Sequence, residues 1–175
     1  IIATTSSVKD EPIVALSEKL GVKVFRGSEE DVLGRIVGLL RVHQVELHVE
    51  LIGDSPFSDA QIIDEVIGFY LKHQDRYDYV SNGTKVSYPS GMEVNVYRAT
   101  TLFDAEVQVA KDDPQREHVD IHLSRNDRFR RICLEAPSFF HYPNIYLEVD
   151  TPKDFQMVSA LFNHFEQEGK EYFSL

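Results

Sequence analysis

Leu51-Ile52-Gly53-Asp54-Ser55-Pro56-Phe57-Ser58-Asp59 marks the passage from a strand to a helix, and the reading of the whole chain turns on it. The run before it, Val45-Glu46-Leu47-His48-Val49-Glu50-Leu51-Ile52, alternates apolar with polar side chains as a strand does. After it, Ile62, Ile63, Val66, Ile67 and Tyr70 recur at helical spacing within Ala60 to Gln74. Gly53 and Pro56 end the strand, and Asp59 is placed to cap the helix. A carboxylate at such a turn lies on the carboxyl edge of an α/β sheet, where ligands of these sheets bind. Turns are also rich in Asp for purely local reasons, so spacing alone leaves Asp54 open between a ligand-facing role and a capping one.

The residues upstream repeat the same alternation. Ile1-Ile2-Ala3-Thr4-Thr5 reads as the end of a buried strand. Val8 to Leu20 reads as a helix, with Asp10 to cap it, Pro12 in its first turn and Gly21 to stop it. Val22-Lys23-Val24-Phe25 is a short strand. Glu29-Glu30-Asp31 then gathers carboxylates at a helix start, where the dipole favours them. That helix runs to about His43 on an apolar side of Val32, Leu33, Ile36, Val37, Leu39 and Leu40. Strand, helix, strand, helix, strand, helix calls for a mainly parallel sheet with helices on its faces.

The middle departs from this rhythm. Tyr77 to Ser81 is a strand, Asn82-Gly83 a turn, and Glu93 to Tyr97 another strand. Ala99 to Lys111 reads as a helix, Asp113-Pro114 opens a second one through Leu123, and Arg130 to Leu134 is a strand. With no repeat or low-complexity linker, residues 79–134 are expected to be an insertion within one domain.

The last unit returns to the first pattern. Ile145-Tyr146-Leu147-Glu148-Val149 reads as a strand, Asp150 ends it, and Thr151-Pro152 opens a helix that buries Phe155, Val158, Leu161, Phe162 and Phe165. Asp150 therefore occupies the same slot as Asp54. If the two strands are neighbours, their carboxylates converge into a site for Mg2+, which takes one or two carboxylates and completes its shell with phosphates and water. Glu148, two residues earlier, is a candidate third ligand or a base behind the ligands.

Composition sets the outer limits. The 175 residues, 42% apolar and 27% charged, suffice for one full core. The single cysteine, Cys133, excludes an internal disulfide and a cysteine zinc cluster, and a cytoplasmic location is expected. A net charge of −11 disfavours nucleic acid and anionic membrane surfaces as partners.

Five segments then occur in one order: Phe25 to Arg35 (FRGSEEDVLGR), Gly53-Asp54-Ser55-Pro56, Tyr88-Pro89-Ser90-Gly91-Met92-Glu93-Val94, Arg116-Glu117-His118-Val119 and Val149 to Asp154 (VDTPKD). From Ile1 to about Phe165 the chain resembles the cytidylyltransferases that activate acidic sugars, the CMP-sialic acid and CMP-KDO synthetases. Within that family it is most similar to the branch named after spore coat polysaccharide biosynthesis proteins. The resemblance implies an α/β fold of the three-layer α/β/α, Rossmann-like nucleotidyltransferase type, with a mainly parallel sheet and an inserted β-containing region. It implies transfer of CMP from CTP to an acidic sugar, with Mg2+ as cofactor and release of pyrophosphate. Asp54 and Asp150 match the metal-binding, catalytic aspartates, and Arg26, Ser28, Asp31 and Arg35 the segment near the nucleotide base. Tyr88, Gly91, Glu93, Arg116, Glu117 and His118 match segments on the sugar side. A homodimer through residues 79–134 is implied as well, and Val94, Val96, Ile132 and Leu134 are expected to need a partner surface.

Two departures qualify the match. The family's glycine- and basic-residue-rich loop is expected upstream of Ile1, so residues 1–175 read as one nucleotidyltransferase-like domain, incomplete at its start and inactive by itself. Glu50 stands where the branch carries arginine. A non-catalytic binding or assembly module is the alternative. His43, His48 and His73 read as surface residues, His118 as function or capping alike, Phe139 to Pro143 as loop packing, Arg125 to Arg131 as a solvated face or dimer contact, and Cys133 as core.

Overall fold

The structure, a computed structural model, describes residues 1–169. The chain divides into two units, Ile1–His48 with Tyr97–Phe129, and Val49–Val96 with the chain from Arg130. The single domain expected over 1–175 thus extends past the described residues at its end.

In the first unit β1 (Ile2–Thr5) pairs in parallel with β2 (Val24–Gly27), Ile2 opposite Val24 and Thr5 opposite Gly27. The crossover is a 3-10 turn, Val8–Asp10, followed by α1 (Glu11–Lys19), with Pro12 in its first turn as expected. Asp10 precedes α1 but makes no side-chain cap. Its carboxylate instead accepts from both hydroxyls of Thr4 and Thr5, each at 2.6 Å, and from the Thr5 N–H at 2.8 Å. Two hydroxyls and an amide outcompete a single helix N–H, so Asp10 ties the end of β1 to the start of the crossover.

α2 (Val32–Val42) is capped by Asp31, which accepts from the Gly34 N–H at 2.7 Å. It buries Leu33, Val37, Leu39 and Leu40 and packs against α4 (Ala99–Glu106). The helix expected to reach Lys111 stops at Glu106. The one expected from Asp113 breaks into a 3-10 turn, Pro114–Glu117, and a short α5 (Ile121–Ser124), separated by an extended His118 at φ −110°. Asp113 caps the turn at the Gln115 N–H, and Arg116 within it is buried.

A second sheet has the order β3-β5-β4-β6, with β3 Leu47–Glu50, β4 Tyr79–Ser81, β5 Asn95–Arg98 and β6 Arg131–Cys133. β4 and β6 are parallel, Tyr79 opposite Arg131 and Ser81 opposite Cys133. Among the described residues the strands therefore form a two-stranded and a four-stranded sheet rather than one ladder. In the second unit α3 (Ala60–His73) is capped by Asp59, as read from the sequence, and packs on β4 with Ile62, Val66 and Tyr70 buried.

The strand expected over Ile145–Val149 is reduced to one isolated parallel bridge, Tyr146 with Ser90. Its partner is a loop containing Pro89, which has no N–H to donate, and Gly91, whose φ of +91° turns the chain away, so no ladder propagates. Beyond it, α6 (Pro152–Gln167) opens on a capping box between Thr151 and Asp154. Of its expected apolar face only Val158 is buried; Phe155 is 63% and Phe162 40% exposed, and Phe162 stacks on Phe57 at 4.8 Å. No helix among the described residues is long and apolar enough to cross a membrane.

Candidate active site

The second unit carries the two aspartates singled out at the turns. The Val149 N–H donates to the Asp54 carbonyl at 2.9 Å, so the turn after β3 and the segment before α6 are bonded to each other. Asp54 is half-buried and its carboxylate accepts from the Ser55 hydroxyl at 2.9 Å. Asp150 is exposed, accepts a short hydrogen bond from the Tyr146 hydroxyl and donates its own N–H to Asp154. The bond to Asp150, with Glu148 adding to it, holds the phenolic proton of Tyr146 and raises its pKa.

The Tyr88–Glu93 loop brings a third group of carboxylates to the same unit. The Ser90 hydroxyl donates to Glu148 at 2.7 Å, and the Gly91 N–H donates to Glu93 at 2.7 Å. At Gly91 a Cβ would sit 3.2 Å from the Glu148 side chain and from the backbone of Leu147 and Glu148, in a conformation that favours glycine. Burial pushes the Glu93 carboxyl above its ordinary value; N–H donors oppose this, and the negative charges of Glu148 and Asp54 add to it. Tyr88 is buried, which raises its phenol too.

Three or more His, Cys, Asp or Glu are nowhere grouped as a metal centre among the described residues. Mg2+ needs only one or two protein carboxylates, and the donor chemistry of Asp54 and Asp150 suits it. Beside Asp54 lies a cavity of about 450 Å3 lined by Gly53, Pro56, Val149, Phe155 and Phe162.

In the first unit Arg26 is fully engaged with its own chain. It donates to the carbonyls of Thr5 at 3.0 Å and Ser7 at 2.8 Å and pairs with Glu11 at 2.6 Å. Ser28 accepts from the Asp31 N–H at 3.0 Å through its hydroxyl and from Arg35 at 2.6 Å through its carbonyl. The Arg35 stem covers Gly27, where a Cβ would come within 2.7 Å of it, and the buried Arg35 Nε has no partner. Ser28, Asp31 and Arg35 thus link the turn before α2 to its first turn by hydrogen bonds, while Arg26 is tied separately to the loop after β1.

The Arg116-Glu117-His118 motif separates into two environments. Arg116 is 2% exposed and grips Asp31 with two parallel bonds, Nε to Oδ1 at 2.9 Å and Nη2 to Oδ2 at 3.0 Å, with Glu106 at 3.3 Å. Glu117 and His118 are exposed and line a cavity of about 500 Å3 with Gln115, Ile121 and Arg125. Glu106, which also holds Lys111 at 2.5 Å, escaped the sequence reading. Its signal was legible: with Leu102 and Ala105 it shares one helical face, and a carboxylate on a core-facing stripe needs a buried cation.

The cytidylyltransferase family model matches residues 1–173. Uncharacterized protein MJ1063 of Methanocaldococcus jannaschii is 35% identical over 167 residues, covering 95% of this chain and 66% of that protein. The spore coat polysaccharide biosynthesis protein SpsF of Bacillus subtilis is 32% identical over 163 residues, covering 93% and 66%. The chain therefore spans 66% of the length of these two relatives. A cytidylyltransferase structure from Leptospira borgpetersenii superposes with a TM-score of 0.80 at 21% identity, over 98% of this chain and 78% of the other. CMP:2-keto-3-deoxy-manno-octonic acid synthetase complexed with CTP superposes at 0.58 and 15% identity, over 92% and 79%. These likenesses give the chain the α/β, Rossmann-like nucleotidyltransferase fold. By the match along its length and the relation to SpsF, the chain belongs to the cytidylyltransferase family.

Proposed function

We propose that the whole protein is a Mg2+-dependent cytidylyltransferase that transfers CMP from CTP to an acidic sugar for surface polysaccharide synthesis. The observation that carries this reading is the bond from Val149 to Asp54, which ties together the turns bearing the two aspartates. The acceptor oxygen bonds to the α-phosphorus, the bond from that phosphorus to the bridging oxygen breaks, and pyrophosphate leaves. Mg2+, when bound, neutralises the charge that builds on the phosphates. Asp54 and Asp150 would hold it, with Ser55 and Tyr146 fixing their orientation. The acceptor proton passes to a carboxylate of this edge, for which Glu148, oriented by Ser90, is the candidate. Ser28, Asp31 and Arg35 would face the base, and Arg26 shapes the loop after β1.

For the sugar, the exposed His118 and Arg125 of the cavity they share with Glu117 offer groups suited to a carboxylate; the assignment of Tyr88, Gly91 and Glu93 to the acceptor rests on the family resemblance alone. The SpsF relationship supports a role in polysaccharide synthesis, and the name of the CTP-bound synthetase supports a sugar acid. Pairing of two copies through residues 79–134 rests on the family resemblance. Val94 and Val96 are buried within the chain itself at 1% and 0% exposure and need no partner to cover them.

The deciding experiment incubates the full-length protein with CTP and a panel of sugar acids, with Mg2+ or with a chelator, and measures pyrophosphate. Release that needs both the sugar and Mg2+ is expected. A full-length protein that binds neither CTP nor Mg2+ is instead a binding or assembly module.

A further inference from the structure

We propose that Arg116 is a positioning residue for the nucleotide end of the reaction, acting through Asp31 on the turn before α2. This rests on the reading, given above, that Ser28 to Arg35 faces the nucleotide.

A guanidinium that met substrate would present its donors to solvent. Arg116 is 2% exposed, and its bonds run to Asp31, to Glu106 and, at 3.5 Å, to the Val109 carbonyl. Its partner does three things at once. Asp31 Oδ1 accepts from the Gly34 N–H as the cap of α2, the same carboxylate takes the guanidinium fork, and the Asp31 N–H is held by the Ser28 hydroxyl. Ser28 in turn receives Arg35. One buried cation therefore braces Asp31 and, through it, the turn at Ser28 on which Arg35 of α2 is also anchored. Burial would raise the Asp31 carboxyl, yet Arg116 and the Gly34 N–H together hold it below its ordinary value, so the cap is a charged one. A charged cap at a helix N-terminus also satisfies the helix dipole.

The fork geometry is what the turn depends on. Lysine would keep the charge but supply a single point donor that cannot match both carboxylate oxygens in one plane. Glu106 shares the guanidinium from the other side, and Lys111 balances Glu106 at the surface, so the pair is not left with excess charge. Arg116 in this role contacts no substrate, while its neighbours Glu117 and His118 remain free for the acceptor.

The test uses the full-length protein with Arg116→Lys, Asp31→Asn and the double variant. CTP affinity is measured by calorimetry, KM for CTP and for the sugar by pyrophosphate release, and amide exchange over residues 28–35 by mass spectrometry. Arg116→Lys is expected to weaken CTP binding about ten- to hundredfold, the cost of one lost charge-assisted bond passed on to the turn. It should speed exchange over residues 28–35 and leave the sugar KM unchanged. The double variant should be no worse than the weaker single one, because the two residues act as a unit. CTP affinity unchanged in Arg116→Lys overturns the proposal, as does a rise confined to the sugar KM, which would put Arg116 on the acceptor side. If Arg116→Lys does not fold, Asp31→Asn decides alone: unchanged CTP affinity there overturns the proposal. Wild-type protein that binds no CTP overturns the nucleotide reading itself, an outcome distinct from wild type and variant binding CTP equally well.

Discussion

The Val149 N–H and the Asp54 carbonyl, 2.9 Å apart, join two turns that lie almost a hundred positions from each other in the chain. Each turn ends an apolar run and opens a helix, and each carries an aspartate. The bond lies on the backbone, so substitution of either side chain leaves the junction in place. Asp54→Asn and Asp150→Asn are therefore expected to keep the fold and its melting temperature. Each should lower CMP transfer about a hundredfold or more, since charge stabilisation is most of this chemistry. Pyrophosphate release by each variant, together with titration by Mn2+ as a spectroscopic stand-in for Mg2+, checks both parts. Wild-type rates in either variant would remove that aspartate from the site.

Glu93→Gln is expected to stabilise the protein, by about 2 °C in melting temperature at neutral pH. A carboxyl whose folded pKa is raised favours its protonated form in the fold. Its contribution to stability is present below the unfolded value and is lost as pH rises through the folded one. Glutamine removes that loss and still offers an oxygen to the Gly91 N–H. The gain should shrink as pH falls toward the ordinary carboxylate range, which a melting series in pH would show.

Gly91→Ala is expected to destabilise by about 1–3 kcal/mol, because a φ of +91° is strained for any side chain and the new methyl meets Glu148. The bond from Ser90 to Glu148 should loosen with it, so the sugar KM should rise more than the CTP KM. Denaturant unfolding and two-substrate kinetics test the two parts separately.

His48 supplies an acid-sensitive element. Its ring sits edge-on to Tyr97 with centroids 5.1 Å apart, its buried Nε2 has no partner, and burial pushes the imidazole down to about 4. The unfolded chain takes up a proton below about 6.5, before the folded one does. The stability that depends on a neutral His48 is therefore complete above that value and falls away between about 6.5 and 4, by up to roughly 3 kcal/mol. His48→Leu should flatten the stability profile in this window; an unchanged slope would assign it to other groups.

Much of this protein was legible in local spacing. The helices over residues 60–74 and 32–43, the cap at Asp59 and the Thr151-Pro152 start all depend on neighbours within a turn or two, and such patterns survive translation into structure. The five ordered motifs carried the family in the same way. The misreadings were local too: Ile145–Val149 has a strand's alternation, but whether a ladder forms depends on its partner, and here the partner is a loop with Pro89 and Gly91. The apolar stripe of α6 likewise states what a helix can bury, not how much surface is there to cover it, and Phe155 stays exposed.

What tertiary structure alone decided is how charges are matched across distance. Arg116 reads in sequence as one of three adjacent polar residues, and only folding sets it against Asp31, 85 positions away, while His118 two residues later faces solvent. Glu93, Glu148 and Asp54 come from three separate segments, and the negative charges of Glu148 and Asp54 bear on Glu93 only once folding has brought the loop at residues 88–93 to Glu148, with Ser90 bonded to it. The physical reason is the range of the forces involved. Helix periods and caps are satisfied within a few residues, whereas a buried charge must find its partner wherever the chain brings one, because desolvation without a partner costs more than the fold can spare.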